Sequence, residues 1–584
     1  MTWHSDNFSS SGGPPWKAFP AVVPSLLRDW PILAAALAVF YSLLTFSRHG
    51  MGPINTQPEI QLSPAALPKY AAFSLIRIAI AYVLSLGLTF VYGYVAAYNA
   101  KAERFLIPLL DTLQSIPVLS FLPGVMLAMV SLFPQRELGV ELGCVVLVLT
   151  GQVWNMTFSF YSSLKNIPRE MREAAQIYRL SGWQKFMQME LPYAAIGLIW
   201  NSMMSVAGAW FFLMACEMFV LGNRDLRLPG LGSYLQTAAN AGDTRAILWG
   251  LAAMILVIVL MDQIIWRPVI AWAQKFKFEQ VEAAEVPRSP ILDLLRRSHI
   301  LLLAARVSVR PAAEALNLHF AREHEHSHPS QRVRSLCKWI WRIILMAILL
   351  GVSCAVAKMS VMLVGLSRPE MEEIARGAGA TFLRVEGTLV LAGLWTIPAG
   401  IYVGLRPRLS AIAQPIAQIA ASVPATALFP IVMLMLIRIG GGLGIGAMIL
   451  LLLGTQWYIL FNVIAGASAI PSDLKEVCGV FRFPHLERWR KLFLPGIFPY
   501  LVTGLITASG GAWNASIVAE YFRFRGQTLS TVGLGAVISH ATDSGNYRVL
   551  LAATMVMAAM VVTFNRLVWR RLYALASMRF RLES

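Results

Sequence analysis

Glu173-Ala174-Ala175-Gln176-Ile177-Tyr178-Arg179-Leu180-Ser181-Gly182, followed by Leu191-Pro192, is a short polar stretch set between two long apolar ones. It has a partner in the second half of the chain, where Glu476 stands first and Leu494-Pro495 follows. The spacings agree without a gap: 476 − 173 = 303 and 495 − 192 = 303. Two copies of one polar helix, each between apolar runs, predict a two-fold membrane machine that a second protein grips at both copies.

The repeat extends outward from this stretch. Ile167-Pro168 matches Ile470-Pro471, and Gly208-Ala209-Trp210 matches Gly511-Ala512-Trp513. Glu217 matches Glu520, Gly230-Leu231-Gly232 matches Gly533-Leu534-Gly535, and Gly242 and Arg245 match Gly545 and Arg548. All keep the offset of 303, as 520 − 217 = 303 shows. Earlier in each half the offset is 307: Ser115-Ile116-Pro117 matches Ser422-Val423-Pro424, and Arg77 matches Arg384, with 384 − 77 = 307. Chance does not give this order, so the chain is a fused pair of homologous halves. Parallel repeats imply a pseudo-two-fold axis along the membrane normal with a pathway between the halves.

Composition places the chain in a bilayer. It is 57% hydrophobic and 14% charged, against about 25% charged for a soluble domain. The net charge of +18 lies in short segments beside apolar spans, which argues for the positive-inside rule and against nucleic acid. The five cysteines, Cys144, Cys216, Cys337, Cys354 and Cys478, form no CxxC pair, so neither a disulfide framework nor a metal site is expected. Residues 1–20 lack the apolar core of a signal peptide, and the first apolar run reads as an uncleaved span.

A span needs about 20 apolar residues. Six runs qualify in each half: 30–47, 71–98, 116–133, 139–160, 194–221 and 246–272, then 338–366, 382–405, 416–438, 441–466, 496–519 and 548–569. The expected fold is all-α and polytopic, with about twelve transmembrane helices in two parallel six-helix repeats. The expected domains are a cytoplasmic tail 1–29, a first unit 30–272 (core 70–272), a basic linker 273–336, a second unit 337–572 (core 380–572) and a tail 573–584. Lys17, Arg28, Lys101, Arg104, the basic residues of 161–190 and the C-terminal Arg570, Arg571, Arg579 and Arg581 put both termini inside. Arg48, Arg136, Arg224 and Arg227 fall on the other side. Within the linker, Pro290–Val307 is interrupted by Asp293, Arg296, Arg297 and His299, so it reads as an amphipathic surface helix. His319, His324, His326 and His328 fix no ligand spacing and read as a solvated loop.

The polar stretch is a helix by content. Pro168 suits a first turn, Glu170 and Glu173 suit the positive N-terminal end, and Gly182 is expected to end the helix in a left-handed cap. Glu-Ala-Ala, then Gly nine residues on, then Leu-Pro, resembles the EAA loop in the permease subunits of binding-protein-dependent ABC importers. The resemblance covers roughly 70–272 and 380–572. Ser-Ile-Pro, Gly-Ala-Trp with its later Glu, and Gly-Leu-Gly most resemble the nitrate, sulfonate and taurine branch.

What the resemblance implies is a type I importer permease of a bacterial cytoplasmic membrane. It would carry a small solute inward by alternating access, with two ABC ATPase subunits inside and a solute-binding protein outside. ATP and magnesium would sit on the ATPase, since this chain has no GxxxxGK[ST]. The coupling residues would be Glu173, Ala174, Ala175, Gly182, Leu191 and Pro192, and in the second copy Glu476, Val477, Cys478, His485, Leu494 and Pro495. That second copy departs from the pattern, with Val477-Cys478 for Ala-Ala, His485 at the glycine place and Pro484 before it. Its helix is therefore expected to end differently and to dock unequally.

Polar and aromatic groups within spans are the pathway candidates: Arg77, Ser115, Pro117, Gln152, Trp210, Glu217, Arg384, Ser422, Pro424, Gln456, Trp513, Asn514 and Glu520. For the Arg and Glu pairs, tethers between spans are the plainer reading. Two other classes compete for the whole chain. An ATP-independent secondary transporter or channel predicts ion-coupled carboxylates at mid-membrane. A membrane-embedded enzyme predicts a clustered His, Asp or Cys site.

Overall fold

In hydrocarbon only hydrogen bonding within a segment satisfies the backbone, so long apolar runs fold as helices. This computed structural model describes residues 19–52, 59–134, 136–221, 224–276, 290–298, 331–439, 442–524 and 527–579, with isolated positions between 303 and 318. The tail before residue 19 and the histidine cluster 319–328 lie outside the described residues. So does most of the linker; within it, Pro290–Arg297 is a helix.

The first half runs α1 Phe19–Gly50, α2 Leu67–Tyr98, α3 Ala100–Ser115, α4 Leu122–Leu132, α5 Leu138–Lys165, α6 Arg169–Ile177, α7 Gly182–Lys185, α8 Leu191–Glu217, α9 Leu231–Ala241, α10 Thr244–Met261 and α11 Arg267–Ala273. After α12 (Pro290–Arg297), the second half runs α13 Gln331–Val364, α14 Arg368–Gly404, α15 Pro407–Ser422, α16 Ala425–Ile439, α17 Leu443–Ala469, α18 Ser472–Val480, α19 His485–Arg488, α20 Leu494–Ala519, α21 Leu534–Ser544, α22 Tyr547–Phe564 and α23 Arg570–Arg579. The two halves thus carry the same order of elements.

Among the described residues, eight helices are long and apolar enough to cross a membrane, or up to nine if a bent pair counts as one. That is short of the twelve expected. The 116–133 run is the second arm of a pair, Ala100–Ser115 and Val118–Leu132, bent by 82°. Pro117 sits in the break as an extended N-cap residue, where it has no N–H with which to continue α3. The 416–438 run breaks at Pro424 and leaves only a shorter apolar helix, Ala425–Leu436. Neither α1 nor α13 is among the eight.

Two short hairpins interrupt the otherwise helical fold. Each half carries one antiparallel hairpin, β1–β2 (Val220–Leu221 and Arg224–Asp225) and β3–β4 (Tyr521–Phe524 and Gln527–Ser530). Val220 pairs with Asp225, and Arg523 with Thr528, so even the register repeats at 523 − 220 = 303.

The chain divides into two compact units, Met1–Thr45 with Pro168–Ile196 and Gln263–His328, and Phe46–Ile167 with Gly197–Asp262 and Pro329–Ser584. In the first, α11 packs on α12, and Lys275 lies 4.2 Å over the Trp272 ring. In the second, α2 packs on α5, α14 on α17 and α17 on α20. Small residues make the close approaches, as bilayer packing favours. A Cβ on Gly93 would lie 2.7 Å from the Phe160 ring, and one on the matching Gly400 would lie 2.7 Å from Val463.

This second unit holds elements of both halves, and polar groups bridge them. Leu119 N–H donates to Asn514 Oδ1 at 3.3 Å. Thr554 Oγ1 donates to the Ser120 carbonyl at 3.1 Å, and Asn565 Nδ2 donates to Ser115 Oγ at 2.7 Å.

Candidate functional site: twin projecting turns and twin carboxylate cradles

The turn after α6 shows how the opening stretch folds. Tyr178 N–H closes the helix on Ala174 O at 2.9 Å, Arg179 N–H reaches Gln176 O at 3.0 Å and Leu180 N–H reaches Ala175 O at 3.0 Å. These last two bonds form a Schellman turn, which needs a left-handed residue. That residue is Arg179, at φ 48°. Gly182 is not the cap. It opens α7 instead, behind Ser181, whose side chain accepts from Gln184 N–H while Gln184 returns the bond. Ser181 satisfies two orphan donors at once, a capping box, so the chain restarts immediately and the glycine has no left-handed work to do.

The second copy ends the same way, which overturns the expectation of a different turn. Arg482 has φ 47°. Phe481 N–H meets Val477 O at 2.9 Å and Phe483 N–H meets Cys478 O at 3.1 Å. Pro484 supplies the extended N-cap of α19 and His485 opens it. Proline suits this position because no N–H is wanted there, so the replaced glycine costs the turn nothing.

Both restarts then widen into a π-helical turn, Phe186–Glu190 and Trp489–Phe493. Leu191 N–H bonds five residues back to Phe186 O, and Leu494 N–H to Trp489 O. Pro192 and Pro495 come next and lack the N–H that an α-helical bond requires. The Leu-Pro pair is thus the point where each projecting segment joins a long apolar helix.

Exposure follows the same register. Glu173, Ala174, Glu476 and Val477 are exposed, while Ala175 and Cys478 are buried.

At the other end of α8 and α20 lies the second repeated construction. Arg77 donates to Glu217 Oε1 at 2.8 Å, and to Glu141 through Nε and Nη2 at 2.7 Å each. Ser74 Oγ donates to Glu217 at 2.7 Å, and Gly232 N–H donates to Glu217 Oε2 at 2.8 Å. In the second half Arg384 pairs with Glu520, Thr381 Oγ1 donates to it at 2.7 Å and Gly535 N–H at 2.7 Å. The glycines of the repeated Gly-Leu-Gly make room for the carboxylate. A Cβ on Gly230 would stand 2.2 Å from Glu217, and one on Gly533 would stand 2.2 Å from Glu520.

The tether reading of the Arg and Glu pairs therefore fits. Each pair joins α2 to α8, or α14 to α20, and to the loop that follows. The sequence reading missed Glu141. It matches Gly444 at 444 − 141 = 303, so the repeat gave no partner by which to find it.

The remaining pathway candidates are scattered. Trp210, Trp513 and Gln152 are buried inside helix packing, and Gln456 is largely so. Ser115 and Asn514 bridge the halves, Pro117 and Pro424 break spans, and the Ser422 side chain lies outside the described residues. None of these lines the cavity of about 350 Å³ that residues of both halves line. Its polar wall includes Asp225, Arg227, Gln236, Thr426, Ser539 and Asp543. Arg227 Nε donates to both Asp225 oxygens at 2.9 Å and Nη1 donates to Thr237 at 2.8 Å. Tyr521 donates to Asp543 across the wall.

A polytopic helical membrane protein built from two copies of one unit, each with a projecting turn and a carboxylate cradle, is a duplicated transport permease. The profile described as "Binding-protein-dependent transport system inner membrane component" matches residues 89–265 and 396–581, more than half of the chain, and the chain belongs to that family. Among its relatives is the nitrate import permease protein of Leptolyngbya laminosa, 29% identical over 189 residues, which are 32% of this chain and 64% of the relative. The bicarbonate transport system permease protein of Synechococcus elongatus is 28% identical over 200 residues, 34% of this chain and 69% of the relative. The putative aliphatic sulfonates transport permease protein of Bacillus subtilis is 21% identical over 207 residues, 35% and 70% respectively.

Proposed function

We propose that this chain is both permease subunits of an ATP-driven importer, fused into one polypeptide. Two cytoplasmic ABC ATPase subunits hold the α6 and α18 turns, and closure of the ATPases on ATP swings the spans between inward- and outward-open states. A solute-binding protein delivers the cargo. The cargo is a small solute, with nitrate, bicarbonate and sulfonates as the leading class because the relatives carry those names. Both termini face the cytoplasm. The twelve-span count is part of this proposal, with α1, α13 and the two broken spans added to the eight long helices. The unit boundaries 30–272 and 337–572 also belong to it.

One observation carries the reading. The two projecting turns repeat the bond that closes the helix and the six-residue bond that follows it, down to a left-handed arginine at φ 48° and 47°. A non-glycine residue in that conformation costs about 1–2 kcal/mol, and strain kept in two copies marks a constrained surface. An ATP-independent transporter has no use for it.

The test is capture of the cognate ATPase from membranes by the wild-type chain, Glu173→Ala, Glu476→Ala and the double variant. Wild type should retain the ATPase, and the double variant should lose either docking or stimulated ATP hydrolysis. A wild-type chain that never binds an ATPase would return the secondary-transporter reading to the front.

A further inference from the structure

The two projecting turns present the same surface with different residues. Between 169–185 and 472–488 only Glu173 with Glu476, and Arg179 with Arg482, are identical at the offset of 303. Yet each turn exposes a matching apolar pair, and the second exposes Leu486 besides. Ile177 and Tyr178 are each 78% exposed, and Val480 and Phe481 are 79% and 69% exposed. Each pair is a β-branched residue followed by an aromatic ring. Each stands just before the left-handed arginine, whose backbone turns the chain away and leaves the pair projecting.

Charge follows the same plan. Glu170 matches Asp473, Arg172 matches Lys475, Glu173 matches Glu476, Arg179 matches Arg482 and Lys185 matches Arg488. Only Arg169 against Ser472 and Gln184 against Glu487 change the charge at a matched position.

We propose that both turns are held by copies of one ATPase chain, so that this fused permease works with an ATPase homodimer. The inference rests on the importer reading above. The apolar pairs are the anchors, and each fits one kind of pocket, apolar at its floor with a carboxylate at the rim facing Arg179 or Arg482. Two different ATPases would present two different pockets, and the repeats would be released to differ in shape and charge. They differ instead in nearly every residue, yet keep the projecting apolar pair and the sign of charge at five matched positions. An aromatic side chain and an arginine side by side are also the residue types on which binding energy concentrates.

The experiment uses the full chain, co-expressed with the ATPase genes beside it and purified in detergent. Three variants exchange or duplicate the turns: 169–180 swapped with 472–483, the first turn at both places, and the second turn at both places. Native mass spectrometry counts and identifies the ATPase copies. The expected result is two copies of a single ATPase chain on wild type and on all three variants, with ATP hydrolysis within about twofold. Ile177→Asp and Val480→Asp, both on exposed positions that leave the fold intact, should each weaken capture about tenfold or more, and to the same degree. A wild-type complex with two different ATPase chains overturns the inference. So does loss of one copy from either duplicated-turn variant, or a large inequality between the two Asp variants. A wild type that captures no ATPase overturns the importer reading, and this inference with it.

Discussion

At the scale of residues, the two carboxylate cradles are built alike but charged differently. Arg77 is fully buried and faces two carboxylates, whereas the Arg384 side chain is 11% exposed and faces one. Breaking a buried ion pair by removing one partner costs about 3–5 kcal/mol, because the other charge is left uncompensated. Arg77→Met strands Glu141 and Glu217 together, so it should lower the thermal unfolding midpoint in detergent far more than Arg384→Met. Equal losses would show that Glu141 adds nothing. Gly230→Ala and Gly533→Ala drive a Cβ into a carboxylate that other bonds hold in place, so both should abolish a monodisperse peak in size exclusion. Glu386 is the opposite case. Its Oε1 is buried with no hydrogen-bond partner among the described residues, and an unpartnered buried polar group costs about 1–3 kcal/mol. Glu386→Leu should raise the unfolding midpoint; a fall would mean that the carboxylate has a structural partner after all. The Arg and Glu pairs were legible in the sequence because both halves repeat them. Glu141 was not, because only one half has it and its neighbours give no period.

At the scale of elements, the projecting helices were legible and their ends were not. Glycine at 182 invited a left-handed cap, since glycine is the usual residue there. The chain uses glycine in that way elsewhere, at Gly242 with φ 67° and Gly545 with φ 69°, where Asp243 N–H and Asn546 N–H close the turns on Ala238 O and Ala541 O. After α6, however, Ser181 caps the next helix one residue before Gly182, so the reversal must finish earlier, at Arg179. Local side-chain capping outcompeted composition. The consequence is measurable. A Cβ on Gly182 meets nothing within 4 Å, so Gly182→Ala should leave both the unfolding midpoint and ATPase capture unchanged. Arg179→Gly and Arg482→Gly remove left-handed strain of about 1 kcal/mol and should raise stability slightly. They should nonetheless weaken ATPase capture, because the arginine side chain is lost from the docking surface. If Gly182→Ala destabilises the chain and Arg179→Gly does not stabilise it, the turn is assigned to the wrong residue.

At the scale of the whole molecule, the duplication was legible because an offset of 303 survives over most of each half. The cavity was not, because its polar wall comes from hairpin, short helices and loop rather than from the middle of spans, where ionisable residues draw the eye. Mid-span candidates such as Trp210 and Gln152 are instead buried among packed helices. The wall has its own internal symmetry: Gln236 and Ser539 both line it and match at 539 − 236 = 303. A cavity of about 350 Å³ is within the range of small-molecule sites, roughly 300–1,000 Å³, and is lined by both repeats. If it is the route of the solute, filling it from either half should have one and the same effect. Gln236→Trp and Ser539→Trp should each cut uptake of labelled nitrate, bicarbonate or ethanesulfonate, whichever the wild type carries, by about tenfold or more, since a bulky ring removes the space that the solute needs. Capture of the ATPase should be untouched, because α6 and α18 keep their sequence. Uptake lost from one side only would mean that the halves contribute unequally to the route. Uptake preserved in both variants would place the route elsewhere in the fold and leave the cavity as packing between hairpins.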